Sequence, residues 1–394
     1  MPLRIFITPE PDDTDLVVIT EIERLRRDLS NYVQHKPRRW AGHLRKMSFA
    51  RAIRGSNWIE GYRASLDDVL DAIEGEEPID ATEETRLALA GYQDAMTYVL
   101  QLVEVETRVD ESLLKSLHFM MTKHDLRARP GLYRQGPVWM EDENTNRVYN
   151  APDVELVKPL MVQLIESLYD DESMPVMFQA AMAHLNLVMI HPFRDGNGRM
   201  ARALQTMMLS KEGIVSPVFS SVEEHLGRNT DAYYKVLSEV GQGSWHPENT
   251  ARPWIQFMLR AHYQQAWTLQ KRIHETEHLY DSIAQLINSY HLPSRVTGAL
   301  ADAARGRRLR RSIYMHLVEF TEGDSISYLS ASRDLKAMVD AGVLEAKGAG
   351  RGRTYHGSEE LRSLWFDIRA NRPPNTNKNP YITLPQRTLP GIST

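Results

Sequence analysis

The chain has 394 residues, 42% hydrophobic and 25% charged, which are the proportions of an ordinary globular protein long enough for more than one core. It has no cysteine, which excludes disulfides, thiolate zinc sites and a cysteine nucleophile, and its net charge of -5 excludes a molecule that binds nucleic acid by overall positive charge. No apolar run is long enough to span a bilayer, and the start "MPLRIFITPEPDDTDLVV" lacks the basic region and apolar core of a signal peptide, so no membrane attachment and a cytoplasmic location are expected.

In chain order, the first dozen residues are rich in proline and acid and are expected to be loose. Leu16, Ile19, Ile22, Leu25 and Leu29 then form one helical stripe. A turn at "HKP" leads into a helix through Met47, Ala50 and Ile53. "SLDDVLDAIEG" opens on a capping serine and ends on Gly75. Helical spacing continues through "ETRLALAGYQDAMTYVLQLV" and "DESLLKSLHFMMTKH". "RPGLYRQGPVWMEDENTNRVYNAPDVE" breaks that spacing and predicts a hairpin centred on 141–146, with Val138, Trp139 and Met140 on its first strand. Helices resume in "DVELVKPLMVQLIESLYD" and "PVMFQAAMAHLNLVMI", and again in "RMARALQTMMLSKEG", which Gly213 closes. "TDAYYKVLSEV" and the long run from Ala251 to Ile287 complete a mainly α chain. No internal repeat or heptad pattern interrupts it.

The chemistry concentrates in "HPFRDGNGRMAR", His191 to Arg202, between two helical patterns. The first helix stops at Ile190, because the residue before Pro192 is steered away from helical backbone. The next begins near Asn197 or Gly198. Gly196 and Gly198 allow a sharp turn and bring backbone N–H groups close to a ligand at a helix N-terminus, the arrangement of an anion nest. Arg199 and Arg202, three apart, reach the same side and can fork onto phosphate oxygens. Asp195 would repel phosphates unless a hard cation lay between, which points to Mg²⁺ with few protein ligands. His191 can take a proton near neutral pH. Together these residues describe attack by a hydroxyl on a metal-bound phosphate. A capped helix–helix corner would need only the glycines. Phe193 reads as a core anchor for the loop.

This stretch resembles the signature of the Fic family, H-P-F-x-[D/E]-G-N-G-R-x-x-R, at every fixed position, and the resemblance covers roughly residues 45–260. It implies a helical bundle with a β-hairpin flap over the active site, and transfer of AMP from ATP to a Ser, Thr or Tyr hydroxyl of a protein. It also implies roles: His191 as base, Asp195 as the Mg²⁺ ligand, and Gly196, Asn197 and Gly198 as the phosphate cradle. Arg199 would contact the β-phosphate region and Arg202 the γ-phosphate. "SNWIEG", Ser56 to Gly61, is similar to the family's inhibitory motif. Glu60 would then point its carboxylate at Arg202 and occupy the γ-phosphate's place. "DAYYKVL" resembles a tyrosine pair near the nucleotide base, so Tyr233 and Tyr234 either bound the adenine or belong to the core. The hairpin, residues 134–150, would capture an extended segment of the target protein on an edge strand. Val138 is counted with the nucleotide-facing residues, whereas Trp139 and Met140 either serve that edge or cover the core.

A boundary is expected near "NSYHLPSR". Residues 293–372 hold 14 lysines and arginines against 10 acids, a net of +4 in an acidic chain. "SISYLSASRDLKAMVDAGVLEAKGAGRGRTYHG" reads as short helix, helix and basic hairpin, and resembles a winged helix-turn-helix. Ser330 would cap a helix with Leu335, Met338 and Val339 inward, and "GAGRGR" would form the wing tip. Arg333, Lys336, Arg351 and Arg353 would meet phosphates if a helix entered the major groove. The small charge makes DNA binding the lesser expectation beside protein binding or a homodimer. The expected organisation is an N-terminal helical region over 1–105, the catalytic core over 106–265, a helical connector over 266–292, the winged unit over 293–372 and an extended tail over 373–394.

Three other activities use the same parts. Glu60 could activate water to remove AMP from a modified protein. The nest could serve a UMP or phosphoryl transfer, because it reads phosphates more firmly than bases. A DNA-binding regulator could use the site only to sense ATP, but mere sensing has no need of His191.

Overall fold

A computed structural model describes residues 3–35, 38–78, 80–105, 107–141, 147–171, 173–323, 325–372 and 379–384. Helices α1 (Asp13–Gln34), α2 (Arg38–Ile59), α3 (Leu66–Ile73), α4 (Glu83–Glu104) and α5 (Glu111–Thr122) precede a hairpin of β1 (Trp139–Glu141) and β2 (Arg147–Asn150). Next come α6 (Val154–Ser167), α7 (Val176–Ile190), α8 (Asn197–Leu209), α9 (Pro217–Ser220), α10 (Glu223–Arg228), α11 (Thr230–Gly241) and α12 (Arg252–Tyr290). The chain ends with α13 (Thr297–Ala304), α14 (Arg311–Glu322), α15 (Tyr328–Asp340), a second hairpin of β3 (Leu344–Lys347) and β4 (Thr354–Gly357), α16 (Glu359–Ala370) and α17 (Pro380–Thr383). The chain is mainly α with a small two-stranded flap, as its sequence predicts. None of the described helices is long and apolar enough to cross a membrane.

Local chemistry starts the helices. Asp12 caps α1 and Asp15 reaches back in a reciprocal box, and Ser65 and Asp68 do the same for α3. α7 carries apolar residues on all sides, and Met177–Ile190 form a continuous buried run apart from Gln179. It is therefore the central helix, with α8 returning beside it after the motif. Around the pair, α1, α2, α4, α5, α6, α11 and the first half of α12 close the main core. In α1 the buried stripe is Val18, Ile19, Ile22, Leu25 and Leu29, while Leu16 of the expected stripe faces out.

Two expectations about the ends are corrected. Phe6 is fully buried against Trp245, and its backbone N–H donates to Asn186 Oδ1 at 2.8 Å, so the first residues are docked and not loose. In the tail, α17 packs on α1, with the Tyr381 hydroxyl donating to Asp15 at 2.7 Å. The tail expectation over 373–378 and 385–394 lies outside the described residues.

The 39-residue α12 is about 58 Å long at 1.5 Å per residue. Its first half carries Trp254, Ile255, Met258 and Leu259 into the main core, and its second half carries Leu279, Ile283 and Ile287 into a separate one. No break in the backbone separates the proposed connector from the core. The second core is built from α13–α16 and the β3–β4 hairpin, with "GAGRGR" as its connection. A single helix, α15, replaces the expected short-helix–helix pair. Its cap is Ser327, which accepts the Ser330 N–H at 3.1 Å, so Ser330 is not the capping residue. Leu335 and Met338 point inward as expected, with Val339 half-buried. Arg333, Lys336 and Arg353 are exposed, and the Arg351 side chain lies outside the described residues. This unit rests on α3 through a buried network, in which Arg307 bonds Asp71, Glu74 and Asp302.

Candidate active site

The motif is the α7–α8 junction. His191 ends α7 in the left-handed region (φ 51°, ψ 58°), an unusual conformation for a non-glycine residue. Its Nδ1 lies 3.1 Å from the Val188 carbonyl. A carbonyl only accepts, so Nδ1 carries the proton and Nε2 of the neutral ring holds a free electron pair. Burial lowers the His191 pKa and the nearby Arg134 adds to the effect, which keeps the ring neutral. Phe193 is fully buried, as expected of a core anchor, and its backbone is clamped by Asn197: N–H to Oδ1 and Nδ2 to C=O, both at 2.9 Å. Asn197 thus shapes the cradle through its side chain. Gly196 precedes α8 with φ +77°, where a side chain would be strained.

Arg199 and Arg202 are both buried. Arg199 bonds Asp195 Oδ2 at 3.0 Å and lies over the Tyr62 ring. Arg202 donates to Ser56 Oγ at 2.7 Å, the Ser56 carbonyl at 3.0 Å and Glu60 Oε1 at 2.6 Å. A β-carbon added at Gly198 would overlap that same Glu60 oxygen and lie 3.0 Å from Arg202 Nη1. The Glu60 carboxylate therefore stands directly over the start of α8. Burial opposes the Arg202 charge, but Glu60, Tyr233 and Tyr92 outweigh it and raise the pKa above the usual guanidinium value. Arg199 Nε and Arg202 Nη1 are buried without acceptors, each a cost of about 1–3 kcal/mol that an anionic ligand would relieve.

Ser56 and Glu60 thus meet the motif through Arg202, while Gly61 (φ +88°) forms the turn after α2. Tyr233 is 1% exposed and its hydroxyl bonds the buried His184, so it is a core residue. Tyr234 keeps an exposed ring, with its hydroxyl on the Ile59 carbonyl at 3.2 Å, beside Glu60's helix. Val138 lies one residue before β1 rather than on it, and its carbonyl accepts the Ala151 N–H in the hairpin root. Met140 packs on the core, whereas Trp139 faces out beneath Arg147. β2 is tied to residues 243–244 through Asn150, which leaves the far side of β1 without a strand partner among the described residues.

Two supporting residues have no signal in the motif. Arg134, 4% exposed, donates Nε to the His191 carbonyl at 2.9 Å and Nη1 to the Gly136 carbonyl at 3.0 Å, and also bonds the Pro152 carbonyl. Its own N–H meets the Pro192 carbonyl at 2.9 Å, so one side chain joins the flap's root to the base. His118 stacks on Phe193 with centroids 3.8 Å apart. Its Nδ1 accepts the Gly131 N–H at 2.9 Å, so Nε2 carries the proton it offers to the Asp195 carbonyl at 3.0 Å. Burial pulls the His118 pKa down to about 4, consistent with that neutral form. Nothing in the sequence marks either of them: His118 lies within the helical run "DESLLKSLHFMMTKH" and Arg134 within the segment that breaks it.

Among the described residues no group of three or more His, Asp or Glu is arranged for a metal. Asp195, with a half-exposed carboxylate at the rim of the cradle, suits a hard ion that takes most ligands from phosphates and water.

A half-buried histidine, two glycines at a helix start and two buried arginines converge on one end of a mainly helical core. Residues 108–209 match the Fic/DOC family. The protein adenylyltransferase Fic of Nematostella vectensis is 27% identical over 223 residues, 55% of this chain and 47% of its own length. Protein adenylyltransferase fic-1 of Caenorhabditis elegans is 33% identical over 95 residues, 24% of this chain and 18% of its own length. The chain thus spans about half or less of these relatives. A solved Fic family protein from Desulfovibrio desulfuricans G20 shares the fold at a TM-score of 0.56 and 19% identity, over 89% of this chain and 98% of that one. Fic-1 from C. elegans does so at 0.51 and 21%, over 66% and 75%.

Proposed function

We propose that the protein transfers AMP from ATP to a hydroxyl of another protein and that Glu60 restrains it. The observation that carries this is the Glu60–Arg202 pair at 2.6 Å, set over Gly198 inside the anion cradle. In the reaction, His191 Nε2 takes the target hydroxyl's proton, and the oxygen bonds the α-phosphorus. The bridge to the β-phosphate breaks, and pyrophosphate leaves. Gly196, Asn197 and Gly198 cradle the phosphates, Arg199 and Arg202 hold the β and γ groups, and Tyr234 borders the base. Asp195 would hold Mg²⁺, which offsets phosphate charge when bound. The free edge of β1 would seat an extended target segment by main-chain hydrogen bonds, which read little side-chain identity.

Glu60 competes with the γ-phosphate for Arg202, so ATP enters with its α-phosphorus turned from the line of attack. The support is geometric: the carboxylate already uses the Nη2 donor and overlaps the space above Gly198. The test is incubation of wild type and Glu60→Gly with α-labelled ATP, Mg²⁺ and cell lysate. Labelled protein, stronger with Glu60→Gly and absent in excess chelator, is expected. Label from γ- but not α-labelled ATP would replace AMP transfer with phosphoryl transfer. Equal labelling with and without chelator would remove the metal from the scheme.

A further inference from the structure

The helix that ends at Glu60 has a second charged face. Arg51, Arg54, Gly55 and Trp58 of α2 line a cleft of about 320 Å³ with Glu224, Gly227 and Arg228 of α10. That volume lies at the small end of ligand pockets. Its floor is rigid, because the backbones of Gly55 and Gly227 touch so closely that neither position has room for a β-carbon. The walls are cationic. Glu224 is their only carboxylate, and its charge is already shared by Arg272, at 2.5 and 2.6 Å, and by Arg228 at 2.6 Å. Those arginines hold Glu224 at about pKa 2.

Arg51 and Arg54 are left with no carboxylate within 4 Å among the described residues. Arg54 bonds only the Ala64 carbonyl, at 2.9 Å, while it lies over Trp58, and Arg51 makes one long contact of 3.5 Å to the Met47 carbonyl. Arg63 covers Trp58 as well, at 4.0 Å, so the ring is already taken by two guanidiniums. Burial pulls the Arg51 pKa down to about 9, and the neighbouring Arg272, Arg305 and Arg228 add to the shift. Three guanidiniums against one carboxylate, which Arg272 already engages from outside the cleft, repel one another in a half-enclosed space, a cost in stability that folding alone does not require. An anion with several oxygens would turn that repulsion into charge-assisted hydrogen bonds.

We propose that this cleft is a binding site for a compact oligophosphate, with Arg51, Arg54 and Arg228 as its ligands. The occupied Trp58 ring leaves the phosphates as the recognised chemistry, whether they come as free pyrophosphate or as the end of a nucleotide. The site is distinct from the cradle at Gly198 and stands whether or not AMP transfer occurs there.

The experiment is calorimetric titration of the full chain with sodium pyrophosphate, with tripolyphosphate and with ATP. The proteins are wild type, Arg51→Gln with Arg228→Gln, and Gly198→Ala, which adds a β-carbon inside the cradle against Glu60 and Arg202. Saturable pyrophosphate binding, weakened at least tenfold by the cleft substitutions and within a few-fold of wild type in Gly198→Ala, is expected. In the Gly198→Ala protein, tighter binding of ATP than of pyrophosphate identifies a nucleotide source, and the reverse identifies the free anion. Thermal melting guards against misfolding: Arg51→Gln with Arg228→Gln should melt at or above wild type without ligand, because repulsion is relieved. Pyrophosphate should raise the midpoint of wild type and not of this variant. No saturable binding, or binding lost in Gly198→Ala and kept in the cleft variant, overturns the proposal.

Discussion

His191 shows how one residue is prepared by its neighbours. The Val188 carbonyl fixes its tautomer, burial keeps it neutral and Arg134 holds its backbone. His191→Ala should reduce AMP transfer by about 10²–10⁴-fold, the range of a positioned base, with ATP affinity within a few-fold of wild type. Initial rates and nucleotide titration check both halves. Arg134→Met tests positioning. It removes three side-chain bonds to carbonyls, and a destabilisation of roughly 3 kcal/mol is expected in urea unfolding. The base would also shift on its loop, and a misplacement of about 1 Å costs on the order of 10²-fold in rate. The kcat should therefore fall while KM for ATP stays near wild type. A proportionate loss of both would reduce Arg134 to a structural role.

Among the elements, α2 is where the proposed restraint by Glu60 would reside. Its last turn delivers Ser56 and Glu60 to Arg202. Glu60→Gly should raise transfer strongly, self-labelling included. Arg202→Ala should not, since the same side chain is then missing from the phosphate site. The double variant should match Arg202→Ala. Rates of the four proteins on one target decide the point, and a double variant as fast as Glu60→Gly would show that control does not pass through Arg202. Legibility differs among the elements. "SNWIEG" was readable because a short motif carries its own turn, with Gly61 at φ +88°. The place of Val138 was not, because pairing begins only at Trp139, where β2 supplies a partner.

For the whole molecule, buried histidines make an acid response predictable. Burial lowers His43 and His184 to about 3 and His225 and His118 to about 4. The unfolded chain takes up protons on these rings near pH 6.5 and the folded one does not, so their stability is present above pH 6.5 and is lost as pH falls. Glu223, raised by burial to about 7, acts in the opposite sense between roughly pH 4.5 and 7, and the raised Glu212, Asp67 and Asp71 share that sense, against a larger set of lowered histidines that also includes His191 and His262. The urea midpoint should therefore fall between pH 6.5 and 4. Below that Glu224, held at about 2, adds its own loss. A midpoint flat from pH 7 to 4.5 would show that these rings are wetter than the structure has them.

The helices, the motif loop and the groups proposed to meet phosphate were legible in the residues alone, because each depends on neighbours within a turn or two. Pro192 after His191, Gly196 and Asn197 dictate the α7–α8 corner wherever it is placed. Whatever needed a distant partner was set by packing. Phe6 became core because Asn186, 180 residues away, receives its N–H. Tyr233 was taken inward by His184, while Tyr234, next in sequence, was left at the surface. Arg134 and His118 acquired their roles from carbonyls 57 and 77 residues on. Backbone carbonyls are the same at every position, so no residue pattern marks which of them a side chain will meet; only the packing of α5, the flap and α7 brings those groups into reach.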